Sequence, residues 1–345
     1  MSRIEQGLRS LGWGAAVALG VVGLPASAMA DPVADFYSGK TIHVLIGVSP
    51  GGAQDVQIRL LSRYLGAYIP GKPKILPENM PGGAQRTAIE YLFNRAPKDG
   101  TYIGQVHPNL PSWQAIEGNV NADARQFQWL GSPGPLVGIV GAWHTTGVTT
   151  VEGARQKELN FGSSGAGTLP DVVLKVMNEV VGTKIRLVRG YPGAAEQDIA
   201  LERGELDGRY QTYANLKGLR PDWIAQKKMN VFVQMGAKSA DLIQVPLLTD
   251  LIKSDDDKAL VELLVNSSHV LGRPYATAPG VPIERVEALR KAFAAVLHDA
   301  DFLREAAALN METGLMSGPE VAKVIDGVLA STPTTVERAK RLLKE

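Results

Sequence analysis

Apolar runs that break at a glycine turn and restart as amphipathic helices constrain this chain more than any other feature. Residues 42–47 form a strand-like run, Ser49-Pro50-Gly51-Gly52 interrupts it, and residues 56–68 then place apolar side chains every three or four positions. That spacing is the helical period. Strand-like runs at 74–77 and 102–106 alternate with a helical pattern at 86–94. A second series starts after Trp143, with runs at 159–162, 185–188, 208–213 and 230–235 separated by helical patterns at 171–181 and 194–203. Such alternation predicts parallel strands joined by helical crossovers. Residues 270–274 read as one more strand, followed by helices at 283–298, 301–308, 318–329 and 336–343. The simplest arrangement returns these closing helices to the first unit, giving two α/β lobes joined by more than one crossing strand. No internal repeat or low-complexity tract is visible.

At 345 residues with 45% hydrophobic content, the chain is long enough to bury a substantial core in about two domains. Its 36 basic side chains against 35 acidic ones point to neither nucleic acid nor an anionic membrane surface. With no cysteine, it has no disulfide framework, thiolate metal site or cysteine nucleophile. The first thirty residues differ in kind: Arg3 and Arg9 precede an apolar segment, residues 11–24, that ends in Ala28-Met29-Ala30. This predicts a secretory signal cleaved after Ala30, because the apolar run is short and glycine-broken for a membrane span. The mature protein is then expected in the periplasm.

Four glycine-rich turns share one position, between the carboxyl end of a predicted strand and the start of a helix. They are Ser49 to Gly52, Met80-Pro81-Gly82-Gly83, Ser163-Ser164-Gly165-Ala166-Gly167-Thr168 and Gly190-Tyr191-Pro192-Gly193. Open parallel sheets bind ligands at this edge. Glycine lets backbone approach a guest, and the first N–H groups of a helix are unpaired donors at the positive end of its dipole. Each exposed terminus contributes only about 0.3–1 kcal/mol. Two or three must therefore converge, with charge-assisted hydrogen bonds of roughly 1.5–3 kcal/mol each, to hold a carboxylate against water.

Other chemistries are excluded by spacing. Gly51-Gly52 lacks the Gly-Lys-Ser/Thr ending of a P-loop, and Pro170 stands where the third glycine of a dinucleotide fingerprint belongs. The Ser163-Ser164 turn fails G-x-S-x-G because Ala166 replaces the last glycine. His43, His107, His144, His269 and His298 show no metal-ligand spacing, and of these only His107 falls at the edge of a plausible site, with a surface loop the plainer reading. Neither catalytic residues nor a cofactor or metal are expected.

The stretch FYSGKTIHVLIGVSPGGAQDVQIRLLSRYLGAYIPGKPKILPENMPGGAQ, residues 36–85, followed by APKDGTYIG, residues 96–104, resembles the Bug-type extracytoplasmic receptors of tripartite tricarboxylate transporters. In the second unit, FGSSGAGT and GYPGAAEQDIALERGELDG continue the resemblance, which spans essentially the whole mature chain. It implies a two-lobed periplasmic binding protein-like α/β fold, each lobe a mostly parallel sheet flanked by helices. The ligand, a small organic carboxylate, would lie in the interlobe cleft, and a permease of one large and one small membrane subunit would receive it. Lobe 1 would span 31–140 with a return over 272–345, and lobe 2 would span 141–271. The receptor is expected to be a monomer that is no enzyme and binds no nucleic acid.

Carried over by position, the resemblance offers Ser49, Gly51, Gly52 and Asp55 from the first turn, Asn79, Gly82 and Gly83 from the second, and Ser163, Ser164, Gly167 and Thr168 from the third. Tyr191 and Asp207 join them as candidates. An acid beside an anion repels it unless it caps its own helix or orients a water, so Asp55 is expected in a structural or water-holding role. The chain departs from many relatives in carrying Thr168-Leu169-Pro170-Asp171 and in placing Pro192 at a frequent lysine position. Both changes make the second lobe less favourable to a second carboxylate if those side chains face the cleft. Arg189, Arg209 and Arg273 are cations more readily explained as solvated or ion-paired than as ligand partners. The ligand stays open between a dicarboxylate and an aromatic or aliphatic monocarboxylate. A sensor or scavenger on the same fold is the alternative reading.

Overall fold

The computed structural model describes residues 31–344 with the exception of residue 119; the segment read as a signal, and its cleavage point after Ala30, lie outside the described residues. The described chain holds strands β1 (Thr41–Ile46), β2 (Lys74–Asn79), β3 (Tyr102–Gln105), β4 (Gln128–Ser132), β5 (Val137–Trp143), β6 (Leu159–Ser163), β7 (Ile185–Arg189), β8 (Gly208–Thr212), β9 (Met229–Gly236), β10 (Tyr275–Thr277) and β11 (Met316–Ser317). They form two sheets, in the orders β11-β4-β10-β3-β1-β2 and β7-β6-β8-β5-β9.

The two-lobed α/β expectation holds, and all the parallel strands were read from the sequence, whereas the strand read at 230–235, β9, pairs antiparallel. β1 lies parallel between β2 and β3, and β6 lies parallel between β7 and β8. The sheets are mixed, however, because β10 runs antiparallel to β3 and β4, and β5 antiparallel to β8 and β9. Burial of Ile42, Val44, Leu45 and Ile46 marks β1 as a strand covered on both faces, which is why it reads as a continuous apolar run.

Helix Ala53–Tyr68 buries Ile58, Leu61 and Leu65 in a core shared with Val286, Leu289 and Phe293 of helix Ile283–Val296. Full burial of each such side chain stabilises by roughly 1.5–3 kcal/mol. Around the second sheet, Phe161, Val173 and Val176 pack with Ala339 and Leu342 of the final helix, Pro333–Lys344. The last helix therefore adds to the second core.

Two expectations fail for local reasons. Residues 270–274 are not a strand: Val270 and Leu271 finish the helix Ser267–Leu271, the chain turns at Gly272 with φ 61, and β10 begins at Tyr275. A short apolar run fits either element. β4 and β5 went unpredicted because Gly131, Gly138 and Gly141 break their apolar pattern. A Cβ at Gly138 would lie 2.4 Å from His269 Nε2 and one at Gly141 2.7 Å from Met229 Sδ, so these glycines serve close packing within a strand. Among the described residues no helix is long and apolar enough to cross a membrane.

Candidate functional site

The first turn is shaped by an acid. Gly51 N–H donates to Asp55 Oδ2 at 2.9 Å, and the same carboxylate accepts from Arg59 Nε at 3.0 Å and from Asn79 Nδ2 at 2.9 Å. Asn79 also donates to the Val48 carbonyl at 2.8 Å. The end of β2 is thus sewn to the turn after β1. Burial pushes the Asp55 carboxyl up, but hydrogen bonds from Arg59, Gly51 and Asn79 outweigh it and hold the pKa at about 2. Ser49, Gly51, Gly52, Gly82 and Gly83 are all exposed at these two turns.

The second lobe repeats the device. Gly167 N–H donates to Asp171 Oδ2 at 3.2 Å, Arg189 Nε donates to Oδ1 at 2.7 Å, and Lys175 Nζ stands 3.4 Å away. Asp171 is fully buried beneath its turn, so it brings no charge to the cleft mouth. Burial raises its carboxyl pKa, yet Arg189, Gly167 and Lys175 together depress it. Within this turn Ser163 Oγ is engaged with Gly165, Thr168 Oγ1 donates to the Gly165 carbonyl at 2.7 Å, and Ser164 is exposed. Tyr191 reaches the turn through its backbone, its N–H donating to the Ser163 carbonyl at 3.3 Å. Asp207 lies just before β8 and accepts from Asn160 N–H at 2.8 Å, level with the start of β6. At about 3.3 Å per residue, that is on the order of 10 Å from the Ser163 end of the strand.

A cavity of about 410 Å³ opens where the strand ends of the two sheets meet. The first lobe contributes Gln54, Ala84 and Gln85, which adjoin the Gly51-Gly52 and Gly82-Gly83 turns, together with Gln105 and His107 at the end of β3; the second contributes Gly167, Thr168 and His269. Four helices open on this cavity without a side-chain cap: Gln54 lies in the first turn of Ala53–Tyr68, while Gln85, Asn109 and Thr168 are the N-caps of Arg86–Asn94, Leu110–Glu117 and Leu169–Val176. A wider groove, about 580 Å³ along helix Arg86–Asn94, is lined by first-lobe residues such as Thr87, Glu90 and Asn94, and receives no second-lobe turn.

The electrostatics of the cavity are muted. Arg273 lines it but pairs with Glu312 at 2.8 Å, while Arg189 pairs with Asp171 and Arg209 with Asp198. His107 accepts from Asn109 N–H at its Nδ1, 3.1 Å away, which leaves the proton on Nε2, and its ring stacks on Trp113 at 4.6 Å. Burial, aided by Arg86, drops its pKa to about 4. His269 donates from Nδ1 to the Val265 carbonyl and accepts from the Tyr210 hydroxyl at 2.7 Å, and burial likewise holds it at about 4. Both rings are neutral at pH 7.

Gln54, Gln85, Gln105, Trp113 and His269 line the cavity and were not predicted as site residues. Gln105 was within reach of the same logic, since it closes a third strand of the first lobe at its carboxyl end. The others carry no motif of their own.

Two α/β sheets that present their strand-end turns to a shared cavity define the fold class of two-lobed periplasmic solute-binding proteins. No family model matches the chain. It is 24% identical over 333 residues, 94% of each chain, to the "UPF0065 protein in gbd 5'region" of Cupriavidus necator. Among solved structures, a TctC solute-binding protein from Polaromonas aligns with a TM-score of 0.69 at 17% identity, covering 89% of this chain and 99% of its own. An R. palustris protein solved with adipate aligns with a TM-score of 0.60 at 18% identity, covering 88% and 97%. The whole-length resemblance read from the sequence is matched by these similarities in fold.

Proposed function

We propose that the chain is a periplasmic receptor that captures a small organic carboxylate between its lobes and delivers it to a tripartite tricarboxylate-type transporter with one large and one small membrane subunit. The observation that carries this reading is the convergence of four uncapped helix starts on one interlobe cavity. Positive dipole ends favour an anion, although Leu110 and Arg86 already donate their N–H to the His107 and Gly83 carbonyls and Pro111 and Pro170 have none to give, so the dipole ends and the remaining first-turn N–H groups supply the attraction. The adipate bound by a relative of the same fold agrees with that chemistry. No nucleophile, base and oxyanion donor come together in the cavity as an enzyme would need.

In this reading residues 1–30 direct export, cleavage follows Ala30, and the mature chain works as a monomer. The lobes divide broadly as 31–140 with 272–345 and as 141–271, but the span of β5, Val137–Trp143, favours a first crossing just before residue 137, and the final helix, Pro333–Lys344, packs into the core of the second lobe. Ser49, Gly51, Gly52, Gly82, Gly83, Ser164, Gly167 and Thr168 face the ligand directly or through water, while Asp55, Asn79 and Ser163 hold the turns in shape.

The test is a thermal-shift screen of residues 31–345 against mono-, di- and tricarboxylates and their amides. Stabilisation that disappears when every carboxylate is amidated supports the reading; silence across the acids overturns it. A single variant checks the location. Gly52 has φ −75 and ψ 162, which any residue adopts, and a Cβ there meets nothing within 4 Å. Gly52→Val should weaken binding by about tenfold or more while the unfolding midpoint stays within about 2 °C. Unchanged affinity would move the site elsewhere.

A further inference from the structure

One polar group in the cavity wall has no partner. Gln85 is 8% exposed and lines the cavity, and its Oε1 is buried without a hydrogen bond. An unpaired buried carbonyl of this kind is costly, and native structures normally satisfy it with protein, water or ligand. The backbone holds it there against its own preference: Gly82, Gly83, Ala84 and Gln85 have φ of 142, 53, 54 and 73 in succession. Two of the four are not glycine, and an L-residue in this region is strained. Gly47 adapts to the placement, since a Cβ on it would lie 2.6 Å from Gln85 Cβ.

The groups that share the cavity with Gln85 are neutral. Among the described lining residues the one formal charge belongs to Arg273, which is neutralised by Glu312 at 2.8 Å. His107 directs Nε2–H away from the Asn109 contact, and Gln105 accepts from Gln54 Nε2 and donates to the Tyr275 hydroxyl at 3.4 Å. One carboxylate is matched by the positive helix ends. A second would be desolvated without a free cation to receive it, and burying an unpaired charge is far costlier than burying a hydrogen-bonded neutral group.

Building on the receptor reading, we propose that the preferred ligand is a carboxylate whose far end is uncharged and both donates and accepts hydrogen bonds, a hydroxy acid or the monoamide of a diacid, read by Gln85 and His107. The Gln85 carbonyl, enclosed in the cavity wall, turns toward the ligand to accept its O–H or N–H, and the His107 imidazole donates to its oxygen. A dicarboxylate offers the Gln85 carbonyl no donor.

Calorimetry on residues 31–345 with matched probes tests this: succinate, succinamate, 4-hydroxybutanoate and butanoate, and the corresponding glutarate and adipate series. At the best chain length the monoamide or hydroxy acid should bind about tenfold more tightly than either the diacid or the unsubstituted acid, the worth of one well-made hydrogen bond to a group otherwise left unpaired. In Gln85→Leu, and separately in His107→Phe, the ratio between hydroxy acid and unsubstituted acid should fall toward one. A diacid that outbinds its monoamide overturns the inference and leaves the carboxylate receptor standing, as does a ratio unchanged in both variants. Failure of every acid to bind overturns the receptor reading itself.

Discussion

Asp55 and Asp171 carry the same task in the two lobes: each holds the glycine turn ahead of its helix. Each sits in the first turn of its helix, accepts from the glycine N–H four residues before it, and is neutralised by arginine, Arg59 in one lobe and Arg189 in the other. The structural role expected for Asp55 was legible because an acid beside an anion has few alternatives; the burial of Asp171 was not, since it depends on where β7 places Arg189. The amides of Gln54, Gln85 and Gln105 were illegible for a related reason, as glutamine has no spacing rule and Gln85 is aimed by left-handed backbone that its sequence does not advertise. The depressed pKa of Asp55 makes a pH prediction. Its folded value, about 2, lies below the ordinary 3.8, so its contribution is fully present above about pH 4 and is lost as pH falls toward 2. Asp55→Asn should lower stability at pH 7 by about 2 kcal/mol and flatten the decline over that acid window. Urea midpoints measured from pH 2.5 to 7 on both proteins check this; parallel curves would show that the carboxylate does not stabilise the turn.

Helix starts in this chain are of two kinds, with and without a side-chain cap. Those on the cavity lack side-chain caps, whereas Asp255–Val261, Ala300–Ala308 and Gly318–Leu329 are capped by Ser254, Asp299 and Ser317. Ser317 forms a complete capping box with Glu320, whose carboxyl pKa is lowered mainly by the Ser317 hydroxyl and backbone bonds. A cap satisfies the donors that an anion site must leave open, so the missing caps at the cavity fit an anion, while Ile283–Val296 and Ala194–Glu202 start uncapped without lining it. Ser317→Ala should therefore cost about 1 kcal/mol of stability and leave ligand affinity untouched, readable as a shifted denaturant midpoint with an unchanged calorimetric titration. At this scale the sequence was most informative: the helices over 86–94 and 318–329 appear as read, because amphipathic period and turn chemistry act locally. β4 and β5 escaped because their glycines answer to neighbours far along the chain, Gly131 of β4 to Phe293 and Gly138 and Gly141 of β5 to His269 and Met229.

The whole molecule turns on glycines at the crossings between its sheets. The chain leaves the first sheet after β4 and returns before β10, and the two passages touch where Gly134, with φ 97, meets Gly272, with φ 61. A Cβ on Gly272 would stand 2.2 Å from the Gly134 carbonyl oxygen, so the passages pack backbone against backbone. Ser132 Oγ ties them by donating to the Leu271 carbonyl and accepting from Arg273 N–H. In the receptor reading this junction is where the two lobes would pivot, since residues at element ends are where hinge motion is absorbed. A ligand favours the closed arrangement only through contacts that the open one lacks. The first-lobe turns are complete without the second lobe, since their hydrogen bonds run among Gly51, Asp55, Arg59 and Asn79. Capture should accordingly begin there, and Gly167 and Thr168 should add their contacts on closure. Thr168→Ala removes the hydroxyl that donates to the Gly165 carbonyl and lines the cavity. It should weaken affinity by about three- to tenfold, the worth of the one hydrogen bond that holds this turn in shape, through faster release with little change in the association rate. In small-angle scattering the saturated variant should retain a larger radius of gyration than the saturated parent. Equal radii together with equal affinities would place Thr168 outside the closing contacts and leave capture by the first lobe as the whole of binding.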